Sequence, residues 1–358
     1  MKFNDCQSAS RTTVEEVFDL RHVRLTLNPI GDGGEATVST CAERPGSVVK
    51  VYHPDLIADD RRFRATVDRL NALAAKTRLM KHSALAWPEE PVYDATGRLA
   101  GYVMKKVPEG FIRFSSIFGG VKSVRKAFPS WNRRDLALTA LNFVNVLAIL
   151  EKSWVMPADF NPDNFLVNEY HELFFIDCDS YQVRSSRGVV TSETYFESMA
   201  APELLCNGLK GRPRTPEQTH WSAAVMVFRL LMCGMHPFQY VDSAQDGTMA
   251  GSVVANIKAG KCPLGCGADC RFASEWAALW SWLTGKMKDV FITTFRREAN
   301  HGWGEPKRRA PLDVIAGELK RLLYEMGRSE ERTMLCPPSL KAREYVQFAA
   351  FCPTSRNF

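Results

Sequence analysis

Between Arg24 and Met104 the chain reads as short runs of apolar and β-branched residues broken by turn residues, with one helix among them. Leu25–Ile30 and Thr37–Thr40 are predicted strands joined by the glycine-rich turn Gly31–Ala36. Ser47–Tyr52 is a third strand, and Glu90–Tyr93 and Leu99–Met104 are two more on either side of the turn Asp94–Gly97. From Asp59 to about Lys81 the chain is rich in Arg, Ala and Leu with no internal Pro or Gly, which predicts a helix with a basic outer face. Beyond the connector Lys105–Gly110 the period becomes helical. Leu136, Leu138, Leu141, Val144, Leu147 and Leu150 predict a buried central helix over Leu136–Lys152, and Trp221–Cys233 predicts a second.

A chain of 358 residues with 45% apolar and 24% charged residues can bury a large core, and its length favours two units. The expected division is an extension over 1–20, a strand-rich unit over 21–106, a mainly helical unit over 107–326 and a tail over 327–358. The net charge of +6 suits an anionic ligand such as a nucleotide without requiring nucleic acid. Ten cysteines in a chain whose first residues carry no apolar secretion segment point to a reducing cytoplasm rather than a disulfide framework. No segment approaches the roughly 18 consecutive apolar residues of a membrane span.

Several polar residues stand where chemistry can use them. Gly31, Gly33 and Gly34 let backbone N–H groups approach phosphate oxygens without an intervening side chain, or else simply form a hairpin. Lys50 lies among apolar neighbours on a predicted strand, where an anion such as a nucleotide phosphate would meet its charge; the alternative is the solvent face of an edge strand. Asp68 is the mid-helix acid available to hold that lysine, unless it is a solvated surface aspartate. In the connector, backbone groups around Lys106 could bond an adenine edge with Met104 beside the base, although a methionine there also serves as core. After the central helix, Asp159-Phe160-Asn161-Pro162-Asp163-Asn164 supplies an acid and an amide, and Phe175-Ile176-Asp177-Cys178-Asp179 a second acid. These groups suit magnesium-dependent phosphoryl transfer, with one to orient a nucleophile and two oxygen donors for metal.

The order of these motifs resembles that of the protein kinases. Pro157 to Asn164 is similar to the catalytic loop H-R-D-L-x-x-x-N, Asp177 to the acid of D-F-G, Ala201-Pro202-Glu203 to A-P-E, and Gly234-Met235-His236-Pro237-Phe238 to a G-x-x-P-F helix ending. Gly31, Gly33, Ala36 and Val38 follow the glycine-loop pattern. The resemblance implies an α+β, bilobal protein-kinase-like fold with a small β-rich lobe and a larger helical lobe, binding ATP and Mg2+ between them. It implies that Asp159 is the base, that Lys50 and the loop of Gly31, Asp32, Gly33, Gly34 and Ala36 hold the phosphates, and that Asn164 and Asp177 hold magnesium. It also implies that Arg309 pairs with Glu203, the bland alternative being a solvated basic loop. Asp177-Cys178-Asp179-Ser180-Tyr181-Gln182 and His236-Pro237-Phe238 resemble the bacterial Ser/Thr kinases of tellurite-resistance and stress-response phosphorylation clusters, whose partners are a phosphatase and a von Willebrand-type domain protein. No glycine-containing hairpin of the kind some members carry follows Gly327.

The departures are specific. Pro157 and Ala158 replace histidine and arginine, so activity should not depend on an arginine-bound phosphate; Cys178 and Asp179 replace the last two residues of D-F-G; Thr219 replaces a bracing aspartate. They leave open a pseudokinase scaffold that binds nucleotide, or a kinase-fold enzyme acting on a small molecule. Cys262, Cys266 and Cys270 recur at a spacing of four in a Pro- and Gly-containing loop, either as reduced structural thiols or as a zinc site completed by Cys206 or His236.

Overall fold

The structure is a computed structural model that describes residues 16–80, 84–209, 211–242, 251–264, 270–271, 274–295, 297–298, 302–303, 306–328 and 333–335. In chain order the main elements are β1 (Leu27–Asp32), β2 (Ala36–Cys41), β3 (Ser47–Tyr52), α1 (Pro54–Ala58), α2 (Asp60–Ala74), β4 (Glu90–Tyr93), β5 (Leu99–Lys105), β6 (Ile112–Arg113), α3 (Val121–Ala127) and α4 (Arg133–Lys152). There follow β7 (Val155–Met156), β8 (Phe165–Val167), β9 (Leu173–Phe175), β10 (Gln182–Ser185), β11 (Gly188–Val190), α5 (Pro202–Asn207), α6 (Pro216–Leu231), α7 (Val253–Ala259), α8 (Ser274–Ser281), α9 (Gly285–Phe295) and α10 (Leu312–Met326). The chain is thus a mixed α and β protein. It divides into two compact units, one of Met1–Glu109 with Phe175–Val190, the other of Gly110–Phe174 with Thr191–Phe358.

The first unit is built on a five-stranded sheet in the order β1-β2-β3-β5-β4. Its β-branched positions alternate, so Val49, Val51, Val92 and Val103 join Val17, Leu25 and Cys41 in one buried cluster. β1 reaches into the glycine turn, two residues beyond the expected end of its strand. A bulge between Pro29 and Gly31 leaves Ile30 outside the ladder, 55% exposed. Gly101 is a steric requirement: a Cβ there would lie 2.0 Å from the Lys50 carbonyl oxygen on the neighbouring strand.

α2 begins where Asp59 accepts a hydrogen bond from the Arg62 N–H at 3.0 Å. It ends at Ala74, well before the expected Lys81, although no Gly or Pro intervenes. A tight turn, with Met80 N–H bonded to the carbonyls of Lys76 and Thr77, buries Met80 instead. The segment from Phe175 joins this unit through backbone bonds, Phe175 N–H to Ala84 and Ala86 N–H to Phe175, at 2.7 and 2.8 Å.

The second unit packs α4, α6, α9 and α10 around a core that includes Leu136, Phe143, Leu147, Trp221, Phe228 and Phe291. α4 is held at its start by a capping box between Asn132 and Asp135. Its last turn leads through β7 into the Asp159 loop, and β8 and β9 after that loop join β6 in a three-stranded sheet. No described helix is long and apolar enough to cross a membrane.

Candidate functional site

Lys50 sits in the middle of β3, the central strand of its sheet. Its register partners are Val38 on β2 and Tyr102 on β5, and side chains directly opposite share a face. The period of two adds Ala36, opposite Tyr52, and Met104, opposite Val48. Ala36, Val38, Lys50 and Met104 therefore lie on one face, and the valine cluster packs on the other. Lys106 is exposed just beyond β5, its N–H bonded to the Gly46 carbonyl at 3.0 Å.

The glycine turn is anchored through the Asp32 side chain, and across it the Gly33 N–H donates to the Ala36 carbonyl at 3.0 Å. Asp32 Oδ1 accepts from Thr37 Oγ1 at 2.8 Å and lies 3.0 Å from Nε2 of the buried His53. A Cβ added at Gly31 or Gly34 would meet nothing within 4 Å.

Lys50 Nζ donates to Asp177 Oδ1 at 2.6 Å and to both oxygens of Asp179, at 2.9 and 3.1 Å. Tyr52 donates its hydroxyl to Asp179 Oδ2 at 3.1 Å. Asp177 has a left-handed backbone at φ 59°, an uncommon state for a residue other than glycine, and it starts the short turn Cys178–Ser180. Burial alone would lower the Lys50 ammonium, but the two carboxylates overcome it and raise the group well above the ordinary lysine value. The carboxylates part company. Burial pushes Asp177 up, against the pull of Lys50; at Asp179 burial also pushes up, but Lys50 prevails and holds the carboxyl below its usual range.

Asp68 is exposed on α2, and the acids bonded to Lys50 are Asp177 and Asp179. The helix reaches this cluster through Arg69, whose Nε donates to the Asp179 carbonyl at 2.6 Å. Asp179, Tyr52 and Arg69 escaped the sequence analysis. The signal available was an acid in place of a glycine two residues after Asp177, combined with a helix carrying no glutamate.

In the second unit, Asp159 opens a self-braced loop. Its Oδ1 accepts from the Asn161 N–H at 3.2 Å, and its Oδ2 from Asn164 Nδ2 at 3.2 Å. The Asn164 amide also donates to the Asp159 carbonyl, so its nitrogen is spent inside the loop and its oxygen is the end suited to a cation. Pro162–Asn164 forms one 3-10 turn, with the Asn161 side chain accepting from the Asp163 N–H at 3.0 Å. Burial raises the Asp159 carboxyl; the Asn161 and Asn164 hydrogen bonds and the charge of Arg214 only partly oppose this. Pro157 and Ala158 are buried where the loop leaves β7, and Ala158 is 1% exposed. Thr219 is buried on α6, and its hydroxyl has no hydrogen-bond partner among the described residues.

Glu203 and Arg309 meet in a two-pronged ion pair, at 2.8 and 2.7 Å. His236 uses both ring nitrogens, Nδ1 accepting from the Phe238 N–H at 3.1 Å and Nε2 donating to the Ser198 carbonyl at 2.7 Å. That leaves His236 no lone pair for zinc, which corrects its expected place as an alternative fourth ligand. The Cys262 thiol donates to the Pro237 carbonyl at 3.2 Å and Cys206 is exposed. Cys266 and the side chain of Cys270 lie outside the described residues, as do Ser8–Thr13 and most of the tail. Among the described residues no three His, Cys, Asp or Glu side chains form a group that could hold a metal ion.

No family model matches the chain. It is similar to the protein kinase YegI of Escherichia coli (strain K12), 26% identical over 219 residues that cover 61% of this chain and 33% of the relative. The protein kinase YegI of Escherichia coli O157:H7 matches with the same identity and coverage. The chain thus spans about a third of the length of the curated relatives it matches.

Proposed function

We propose that this chain is an ATP- and magnesium-dependent kinase of bilobal, protein-kinase-like fold that phosphorylates Ser or Thr hydroxyls of a protein. The observation that carries the reading is the half-buried Lys50 bonded at 2.6 Å to Asp177, on the sheet face that also bears Ala36, Val38 and Met104. A half-buried cation on the strand next to a glycine turn is suited to the α and β phosphates of the donor. The distant similarity to a named protein kinase supports the same reaction class.

In this reading each residue has a distinct task. The Gly31–Ala36 turn lies over the phosphates, and its anchor at Asp32 limits the freedom of the turn. Lys50 holds phosphate oxygens, and the connector beside Met104 and Lys106 takes the base. Asp159 accepts a hydrogen bond from the substrate hydroxyl and aligns its oxygen for attack. Asn161 and Asn164 keep that carboxylate in one rotamer. Asn164 and Asp177 supply oxygens that would hold magnesium, which when bound neutralises charge on the transferred group.

Glu203 and Arg309 fix the end of the segment after Asp177. With alanine at 158, that segment is not ordered through an arginine-bound phosphate. The setting proposed from the family resemblance is the cytoplasm, in a bacterial stress-response or signalling system with a cognate phosphatase and a von Willebrand-type domain protein as partners.

The test is intact-mass analysis of protein substrates after incubation with ATP and magnesium. Addition of one phosphoryl group is expected. Addition of a nucleotide would move the reaction to another class, and nucleotide binding without any added mass would mark a pseudokinase.

A further inference from the structure

Lys50 is held by two acids from one short segment, and the two are not equivalent. Asp177 uses Oδ1 on Lys50 and its side chain is 37% exposed. Asp179 is 8% exposed, receives Lys50 on both oxygens and adds the Tyr52 hydroxyl. A carboxylate buried and saturated in this way has little capacity left for a cation or substrate, whereas the more exposed Asp177 retains it. α2 contributes no acid to Lys50. It contributes Arg69, which grips the Asp179 backbone carbonyl.

We propose that Asp179 is the positioning residue for Lys50: it stands in for a helix-borne acid, and Arg69 couples α2 to the lysine through it. Asp179 then fixes where the ammonium meets phosphate and leaves Asp177 available to metal. The proposal deepens the phosphotransfer reading and rests on it for its kinetic consequences. In a merely tolerated replacement of glycine, restoring the glycine would be neutral. Here Asp179→Gly removes the support of the lysine.

The decisive experiment is a double-mutant cycle in the full chain, following kcat and KM for ATP in phosphate transfer. Asp179→Asn and Asp179→Gly should each lower kcat/KM by roughly 30- to 300-fold, comparable to losing a charged partner. Lys50→Met combined with Asp179→Asn should be no worse than Lys50→Met alone, because both changes remove one function. Asp68→Asn should cost at least tenfold less than Asp179→Asn. Multiplicative losses in the cycle, or an Asp179→Asn enzyme within about twofold of wild type, would overturn the assignment.

If Asp179→Asn does not fold, Tyr52→Phe removes one donor to the same carboxylate. A loss of about three- to tenfold, again absent in the Lys50→Met background, is then expected, and an unchanged enzyme counts against the proposal. A wild type that neither binds nor uses ATP would sink the functional reading by itself. The positioning claim is then decided by a nucleotide-free crystal structure of Asp179→Asn. Lys50 should leave its site beside Asp177 and Tyr52, and a lysine found unmoved overturns the claim.

Discussion

Arg309 and Glu203, 106 residues apart in sequence, form a two-pronged ion pair in which Nη1 meets Oε1 at 2.8 Å and Nη2 meets Oε2 at 2.7 Å. The arginine is 3% exposed, gives a further bond to the Glu217 carbonyl and has its guanidinium over the Trp221 ring at 5.0 Å. Removing one partner leaves the other charge buried, which costs about 3 to 5 kcal/mol. Glu203→Ala should therefore lower the unfolding free energy extrapolated from urea denaturation by that amount, and Glu203→Gln by less. An Ala variant with an unchanged unfolding free energy would show that the pair contributes nothing net.

Burial raises the Asp159 carboxyl above its ordinary range. In the proposed reaction Asp159 works as the carboxylate, so the transfer rate should fall as pH drops through that raised value, with an acid limb displaced upward from a solvated aspartate. Asp159→Asn should lower kcat by about 10²- to 10⁴-fold and abolish that limb. The kcat–pH profile of both proteins is the check. An acid limb that persists in the variant would assign it to another group.

Gly101→Ala places a methyl 2.0 Å from the Lys50 carbonyl oxygen, so β3 or β5 must shift. A loss of about 1 to 3 kcal/mol in stability is expected, together with weakened ATP binding, because Lys50 rides on the displaced strand. Thermal unfolding with and without ATP separates the two effects.

Burial holds His236 in its neutral form and lowers its pKa to about 3. The unfolded chain, with an ordinary histidine near 6.5, binds a proton first. His236 thus contributes stability above about pH 6.5 that is lost as pH falls toward 3, by up to about 1.4 kcal/mol per pH unit. Unfolding free energies between pH 7 and pH 4.5 should fall more steeply in the wild type than in His236→Gln. Parallel curves would contradict this.

What sequence could show was local. The β-branched run around Lys50 and the turn residues around Gly31–Gly34 specify strands and their connection by short-range preference, and observed β2, β3, β4 and β5 lie over the expected runs. The Asp159 loop was legible because its acid and amide are close in sequence and brace one another. The length of α2 was not, because no Gly or Pro marks its end at Ala74, where the chain turns and buries Met80. The partners of Lys50 were also hidden. Asp177 and Asp179 are 127 and 129 residues away, and only the fold brings them to the strand, while the nearer Asp68 points to the exposed face of its helix. Asp179 looked like a lost glycine until its three hydrogen bonds were visible.

The central claim is phosphoryl transfer supported by Lys50 and Asp177. The most direct measurement is transfer of label from γ-labelled ATP to protein in the presence of magnesium, comparing the full chain with Asp177→Ala. Label is expected on a Ser or Thr hydroxyl with the wild type, and at a rate at least about 10³-fold lower with the variant. Equal label transfer by the two proteins, or none by the wild type across substrates and divalent cations, would contradict it.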